Sequence, residues 1–181
     1  MKTSISLAII LFCLGCNNST TQKTKFQSYL DSLNEIETPI EIDINSNLNY
    51  SNNFNESLFK LYKHIYTFRP VGVLYKSDST VTTMEFSLAD NGLAPFLITY
   101  TLQGNKIDSL NVLGESGEDQ YRKTVQFVKF NKNQSFTVLD STTIWEYDSL
   151  DIIIPDSTKI KVQQFHYIIT PIGKIKKVVN T

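Results

Sequence analysis

The chain has 181 residues, of which 41% are hydrophobic and 19% are charged, with 17 basic and 18 acidic side chains. This near balance of charge excludes the strongly basic surface that nucleic-acid binding requires. Two histidines and two cysteines are too few for a cluster of histidine and cysteine metal ligands. With only seven glycines and five prolines, the chain is expected to be globular rather than of low complexity.

The first 15 residues are typical of an export signal. Residues 5–14 are apolar apart from Ser6, and Lys2 precedes them. A helix that crosses a bilayer needs about 20 apolar residues, so this shorter run is typical of the hydrophobic region of a signal peptide.

A cysteine follows this apolar run. The order Leu14-Gly15-Cys16, followed by polar residues 17–21, resembles the lipobox of bacterial lipoproteins, which usually have Leu at the position of Cys13. The resemblance implies removal of residues 1–15, acylation of the Cys16 thiol and attachment to a membrane of the cell envelope, with the outer membrane expected. The alternative is an ordinary secretory signal with a chance cysteine.

The lipoprotein interpretation divides the chain into three parts. Residues 1–15 are the signal peptide, residues 16–24 are the lipidated cysteine and a polar tether, and residues 25–181 form a single β-rich domain. Cys13 leaves with the signal and Cys16 is acylated, so the mature chain has no free thiol for a disulfide. We therefore expect the core alone to stabilise the domain.

Two short helices are predicted before residue 70. Thr24 and Gln27 have the spacing of a capping box, and an apolar stripe of helical period follows them. That stripe consists of Phe26, Tyr29, Leu30, Leu33 and Ile36. Asn53 and Glu56 have the spacing of a second cap. We expect the helix that follows this cap to end at Pro70. The second stripe consists of Leu58, Leu61, Tyr62 and Ile65.

From residue 71 the apolar period changes from 3.6 to 2, which predicts strands. One further short strand is predicted at residues 40–44. The later candidates cover residues 71–76, 82–88, 96–103, 106–113, 122–130, 135–139, 143–148, 158–170 and 174–179. The triplet Asp-Ser-Thr at 78–80, 140–142 and 156–158 is expected in turns, because Asp bonds the backbone two residues on.

The connections between these strands are too short for crossover helices, so the strands must be antiparallel. The sequence therefore predicts a mainly β fold: a single antiparallel meander sheet, curved or forming a half-barrel, with one or two short N-terminal helices packed on it. Lys174, Lys176 and Lys177 indicate that the last strand forms an exposed edge of the sheet.

Candidate catalytic residues do not form a pattern that indicates an enzyme. The sequence has no Gly-x-Ser-x-Gly motif. We expect His64 and His166 to face solvent or a rim rather than act as general bases. Asp148, Asp151 and the acidic loop 114–119 are expected in turns, where water keeps carboxylates ionised, and the loop lacks the ligand spacing of an EF-hand. We predict no catalytic activity, no metal site and no cofactor.

Aromatic side chains are the remaining candidates for a binding site. Tyr62, Tyr66 and Phe68 come from the second helix and its exit, and Trp145 and Tyr147 share a strand face. If these side chains converged, they would line a ligand pocket or a partner-binding patch. The alternative is that they fill the core between helices and sheet.

The sequence thus predicts a membrane-anchored lipoprotein of the cell envelope with a binding or scaffolding role. Its partners would be the membrane, through the lipid anchor, and an envelope protein, a glycan or a lipid, with no nucleic acid. The alternative function is a carrier of a hydrophobic ligand in a half-open β-barrel, an analogy at the level of fold alone.

Overall fold

The computed structural model describes residues 23–46, 48–89 and 92–178. The predicted signal peptide, Cys16 and most of the predicted tether lie outside these residues. The elements are α1 (Lys25–Leu30), β1 (Ile40–Ile42), α2 (Glu56–Tyr62), β2 (Thr67–Lys76), β3 (Thr80–Ala89), β4 (Gly92–Thr101), β5 (Lys106–Asn111), β6 (Gly117–Glu118), β7 (Arg122–Phe130), β8 (Ser135–Ile144), β9 (Lys159–Ile169) and β10 (Ile175–Val178).

The strands form two antiparallel sheets, each built on a four-strand meander. Sheet 1 has the order β2-β3-β4-β5, and sheet 2 has the order β1-β7-β8-β9-β10, with β6 also paired to β7. The predicted mainly β class, with two short helices packed on a sheet, is confirmed. The strands divide between two sheets where the sequence suggested one, because Val112 and Leu113 after β5 are buried in the core instead of continuing the meander.

Apolar side chains fill the space between the two sheets. Met84 and Leu97 of sheet 1 meet Phe130 and Phe136 of sheet 2, and none of the four is more than 1% exposed. Phe136 also stacks on Tyr167, with ring centroids 4.8 Å apart. Burial of each such side chain stabilises the fold by about 1.5–3 kcal/mol, so this layer is the main source of stability.

The two helices cover the opposite face of sheet 1. Phe26 and Tyr29 of α1 pack with Ile98 and Tyr100 of β4 in a second apolar cluster. The predicted cap is confirmed, since Thr24 Oγ1 accepts the Gln27 N–H at 3.1 Å. Sheet 1 is therefore covered on both faces.

The predicted cap of the second helix at Asn53 is wrong. Asn55 occupies the N-cap, and its Oδ1 accepts the N–H of Leu58 at 3.0 Å. The helix ends at Tyr62, and Pro70 lies inside β2 rather than closing the helix. Because β2 is an edge strand, a residue without an N–H is tolerated there.

The strands of sheet 2 contradict one further prediction, a turn at residues 140–142, and confirm another, the edge position of the last strand. The triplet 140–142, expected in a turn, lies inside β8, so the candidate strand 135–139 continues through it to Ile144. Residues 145–148 of the candidate strand 143–148 lie outside β8. The residues of the triplet pair with Gln126, Val125 and Thr124 of β7 and with β9 on the other side, and these ladders outweigh the local turn preference of Asp140. The lysine-rich β10 lies at the edge of sheet 2, as predicted.

Candidate functional site

One face of sheet 2 is turned away from sheet 1 and is not covered by the helices. Apolar side chains of β7, β8 and β9 lie on it, with Phe127 44% and Ile160 68% exposed. We call this surface the open face, and its exposed apolar residues on β7, β8 and β9 are Phe127, Leu139, Ile160, Val162 and Ile168. Phe127 pairs with Leu139 across the ladder, so these two form adjoining apolar contacts.

A groove of about 420 Å³ crosses the open face beside β1. Phe127 and Leu139 form part of its apolar lining, and Gln164 contributes an amide. An ion pair between Lys129 Nζ and Glu41 Oε1, 2.7 Å apart, lies at the β1 side. The groove therefore combines an apolar floor with a charged rim, where Asp43 lies beside the Lys129–Glu41 ion pair.

The hairpin of β8 and β9 extends beyond the sandwich, and we call residues 140–163 the arm. Phe136 and Val138 are buried between the sheets, whereas Ile144, on the same side of β8, is exposed. Ile160 and Val162 pair with Thr143 and Ser141, so the open face continues onto the arm.

The tip of the arm exposes four aliphatic side chains. Leu150 is 76% exposed, and Ile152, Ile153 and Ile154 follow it in the turn. Asp148 Oδ1 shapes the turn by accepting the N–H groups of Leu150 at 2.8 Å and Ile152 at 3.0 Å. An exposed aliphatic cluster on such a turn is typical of an interaction surface, whereas an ordinary solvent-exposed loop is polar.

The five aromatic residues singled out from the sequence lie in two places. Tyr62 packs into the helical layer, 5.0 Å from Phe26 between ring centroids, while Tyr66 and Phe68 are exposed beside sheet 1. The other two, Trp145 and Tyr147, lie within the arm beyond the end of β8 and are half-buried.

Two contacts hold Tyr147 in the arm. Its ring lies edge-on to that of Tyr121 at 5.2 Å, and its hydroxyl donates to the carbonyl of Gln120. Tyr66 and Phe68 thus lie beside sheet 1, Trp145 and Tyr147 lie in the arm, and Tyr62 is part of the helical core.

The two histidines occupy different surroundings. His64 follows α2 and stacks on Phe96 with centroids 4.9 Å apart. Burial, followed by Lys106 and Lys63, lowers the pKa of His64, so its ring is neutral at pH 7. His166 lies on the open face, where its ring nitrogens bond the side chains of Thr137 and Gln164 at 3.0 and 3.1 Å.

A buried carboxyl group lies between the helices and sheet 1. Glu85 is 0% exposed and accepts hydrogen bonds from the hydroxyl of Thr67 at 2.5 Å, the His64 N–H at 3.0 Å and the Tyr29 hydroxyl at 3.3 Å. Burial raises the pKa of Glu85, and the three donors oppose that rise. A substrate would have to displace the helices to reach it, so we assign it a structural role.

Sequence reasoning missed both the open face and Glu85. Alternation places Phe127 and Glu85 on a face of their strands without showing what covers that face. The arm tip had a signal, since residues 152–154 are an aliphatic run inside a segment otherwise typical of turns.

The residues that the structure describes contain no group of three His, Cys, Asp or Glu side chains placed to hold a metal ion. In the same part of the chain, no helix has the length and apolar character needed to cross a membrane. Comparison of the chain with protein-family models, with curated proteins and with solved structures found no match.

Proposed function

We propose that the protein is a lipid-anchored lipoprotein of the cell envelope that binds a second envelope protein through the open face and the arm. The order Leu14-Gly15-Cys16 supports the anchor, with Cys16 as the acylated residue. The exposed apolar surface of sheet 2 supports the binding role. A non-catalytic function agrees with the burial of Glu85, the most strongly enclosed carboxyl group described.

The chemistry of this surface favours a protein partner over a glycan. Leu139, Ile160 and Val162 on the open face, and Ile152 and Ile153 at the tip, exclude water but offer no hydrogen bonds to sugar hydroxyls. Such side chains gain free energy by contact with other apolar side chains, at about 25 cal/mol per Å² buried. The acids that flank the tip, Asp148, Asp151 and Asp156, favour a partner with a basic rim.

The groove supports a second candidate, the carrier of a hydrophobic ligand. Its volume of about 420 Å³ lies within the range of small-molecule sites, roughly 300–1,000 Å³. Phe130 and Phe136 occupy the space between the sheets, so a ligand would bind outside, against Phe127 and Leu139. A ligand bound there would leave the tip of the arm unused, which is why we place this function second.

The anchor is tested by replacing the acylated residue. The Cys16→Ser variant is expected to move from the membrane fraction to the soluble fraction, and intact mass analysis of the unaltered protein should show residues 1–15 removed and fatty chains added. A protein that keeps residues 1–15, or a variant that stays with the membranes, would contradict the anchor.

The binding surface is tested by photo-crosslinking in the native envelope. A photoreactive phenylalanine analogue is placed at Phe127, at Ile153 and, as a control, at exposed Asn53. The first two positions should give one discrete adduct with the same protein, identified by mass spectrometry, and Ile152→Asp should abolish it. Equal adducts from Asn53, or none from Phe127 and Ile153, would contradict the proposal.

A further inference from the structure

Four turns meet at the end of the sandwich opposite the arm. They connect β2 to β3 (77–79), β4 to β5 (102–105), β7 to β8 (131–134) and β9 to β10 (170–174). The Ser79 hydroxyl donates to the carbonyl of Pro171 at 2.8 Å, and the Thr99 hydroxyl donates to that of Gly173 at 2.6 Å. The turn 131–134 shares a groove with Ser79 and Pro171. We call this surface the basal end.

The basal end is basic and carries exposed apolar tips. Leu102 and Ile172 project from two of the turns and are 40% and 71% exposed. Asp78 is the one acid on the four turns, and Asp31 and Asp108 lie beside them, next to Lys76 and Lys174. The exposed lysines on or beside these turns are Lys25, Lys76, Lys106, Lys132 and Lys174. Among the described residues, none of these five lysines is in a salt bridge, whereas Lys123, Lys129 and Lys159 elsewhere are paired.

The N-terminal side of the described chain begins at this same end. Gly104 lies against the ring of Phe26 in α1, where a Cβ would be 2.7 Å from Cγ of Phe26. Lys23, two residues before α1, is therefore close to the turn 102–105. From Cys16 to Lys23 the chain spans at most about 25 Å even when fully extended. A lipid on Cys16 would thus keep the leaflet near the basal end.

We propose that the basal end lies against the anionic lipid headgroups of the leaflet that holds the anchor, so that the arm points away from the membrane. This inference depends on the proposed anchoring at Cys16. Unpaired lysines are attracted to anionic headgroups over a distance of about one Debye length, and Leu102 and Ile172 can enter the interface between them. The acidic residues around the arm tip are repelled by the same surface, so both ends favour one orientation.

The orientation is measured with the full, lipidated chain in vesicles. Because Cys13 is removed and the Cys16 thiol is acylated, a single introduced cysteine is the only site for a fluorescent label. Leu102→Cys and Ile172→Cys report on the basal end, and Ile153→Cys reports on the arm. Spin-labelled lipids in vesicles of phosphatidylcholine, with or without phosphatidylglycerol, then quench any label that lies at the headgroups.

We expect strong quenching at positions 102 and 172 only when phosphatidylglycerol is present, and weak quenching at 153 in every vesicle. High salt should reduce quenching at 102 and 172 to the level found at 153. Lys132→Glu combined with Lys174→Glu should have the same effect, whereas Lys159→Glu combined with Lys161→Glu should have none. The salt result needs no charge variant and so does not depend on whether the variants fold.

Two failures are distinguishable. If the chain does not float with the vesicles and carries no fatty chains, the anchor is wrong. If the chain floats but positions 102, 172 and 153 are quenched alike, or quenching is independent of phosphatidylglycerol, the anchor stands and the inferred orientation is overturned. In the latter case, the lysines of the basal end would be available to bind an acidic protein rather than lipid headgroups.

Discussion

The hydroxyl of Thr67 donates a hydrogen bond to the buried carboxyl group of Glu85, with 2.5 Å between the two oxygen atoms. This contact joins the first residue of β2 to the middle of β3, and Tyr29 and the backbone of His64 bring α1 and the exit of α2 to the same carboxyl group. Glu85 therefore connects the helical layer to sheet 1.

Glu85→Gln should change how stability depends on pH. Burial raises the pKa of Glu85 in the fold above its ordinary value of 4.5, so the folded chain binds this proton more tightly than the unfolded chain does. The favourable contribution of Glu85 to the free energy of unfolding is present below pH 4.5 and is lost as pH rises through the raised pKa. Within that window, the stability of the variant relative to the unaltered protein should rise by up to about 1.4 kcal/mol per pH unit.

Chemical unfolding at a series of pH values measures this difference directly. Taking the difference between the two proteins cancels titrations that both share, including those of Asp31 and Asp119, whose pKa values are lowered. Glu37→Gln, which removes a carboxyl group at an exposed position, is the matched control. A Glu85→Gln difference that is constant with pH would mean that burial does not raise the pKa of Glu85 in the fold.

Phe136→Ala should be far more destabilising than Phe127→Ala. Phe136 is buried between the sheets, and truncation there leaves a cavity that costs about 3–5 kcal/mol of unfolding free energy. Phe127 lies on the open face, so its truncation should cost about 1 kcal/mol or less. Urea unfolding compares the two, and similar losses would show that something in solution covers the open face of the isolated chain.

Gly72→Ala should destabilise the fold through a backbone clash. A Cβ at position 72 would lie 2.4 Å from the carbonyl oxygen of Asn34, which bonds the Val73 N–H. The segment 34–36 would have to move away from β2, at a cost of about 1–3 kcal/mol. Gly114→Ala is the control, because its Cβ would meet only the side chain of Asn111 at 3.2 Å. Equal thermal stability of the two variants would contradict this packing.

Asn55→Ala should cost about 1 kcal/mol of stability through loss of the α2 cap. Asn53→Ala, two residues away in the same loop, should be close to neutral because Asn55 occupies the N-cap. Thr24→Ala should resemble Asn55→Ala, since Thr24 caps α1 in the same way. Thermal unfolding of the three variants measures the ranking, and a larger loss for Asn53→Ala than for Asn55→Ala would refute the assigned cap.

Local rules predicted much of the secondary structure from the sequence. The Thr24 cap, the strands of period 2 and the lysine-rich edge strand β10 each depend on contacts within a few residues or on a single strand. The same rules erred at Asn53, because Asn55 competes with it for the N-cap of α2. They erred again at residues 140–142, because the hydrogen-bond ladders to β7 and β9 override the turn preference of Asp140.

The amino-acid sequence by itself determined that this chain is mainly antiparallel β, because apolar period and turn chemistry are local properties. Only the tertiary structure decided which face of each strand is covered. Glu85 lies under the helices and Phe127 lies in solvent, although the polarity of the two side chains would favour the reverse. Burial depends on which distant segment packs against a face, and strand period carries no information about that partner.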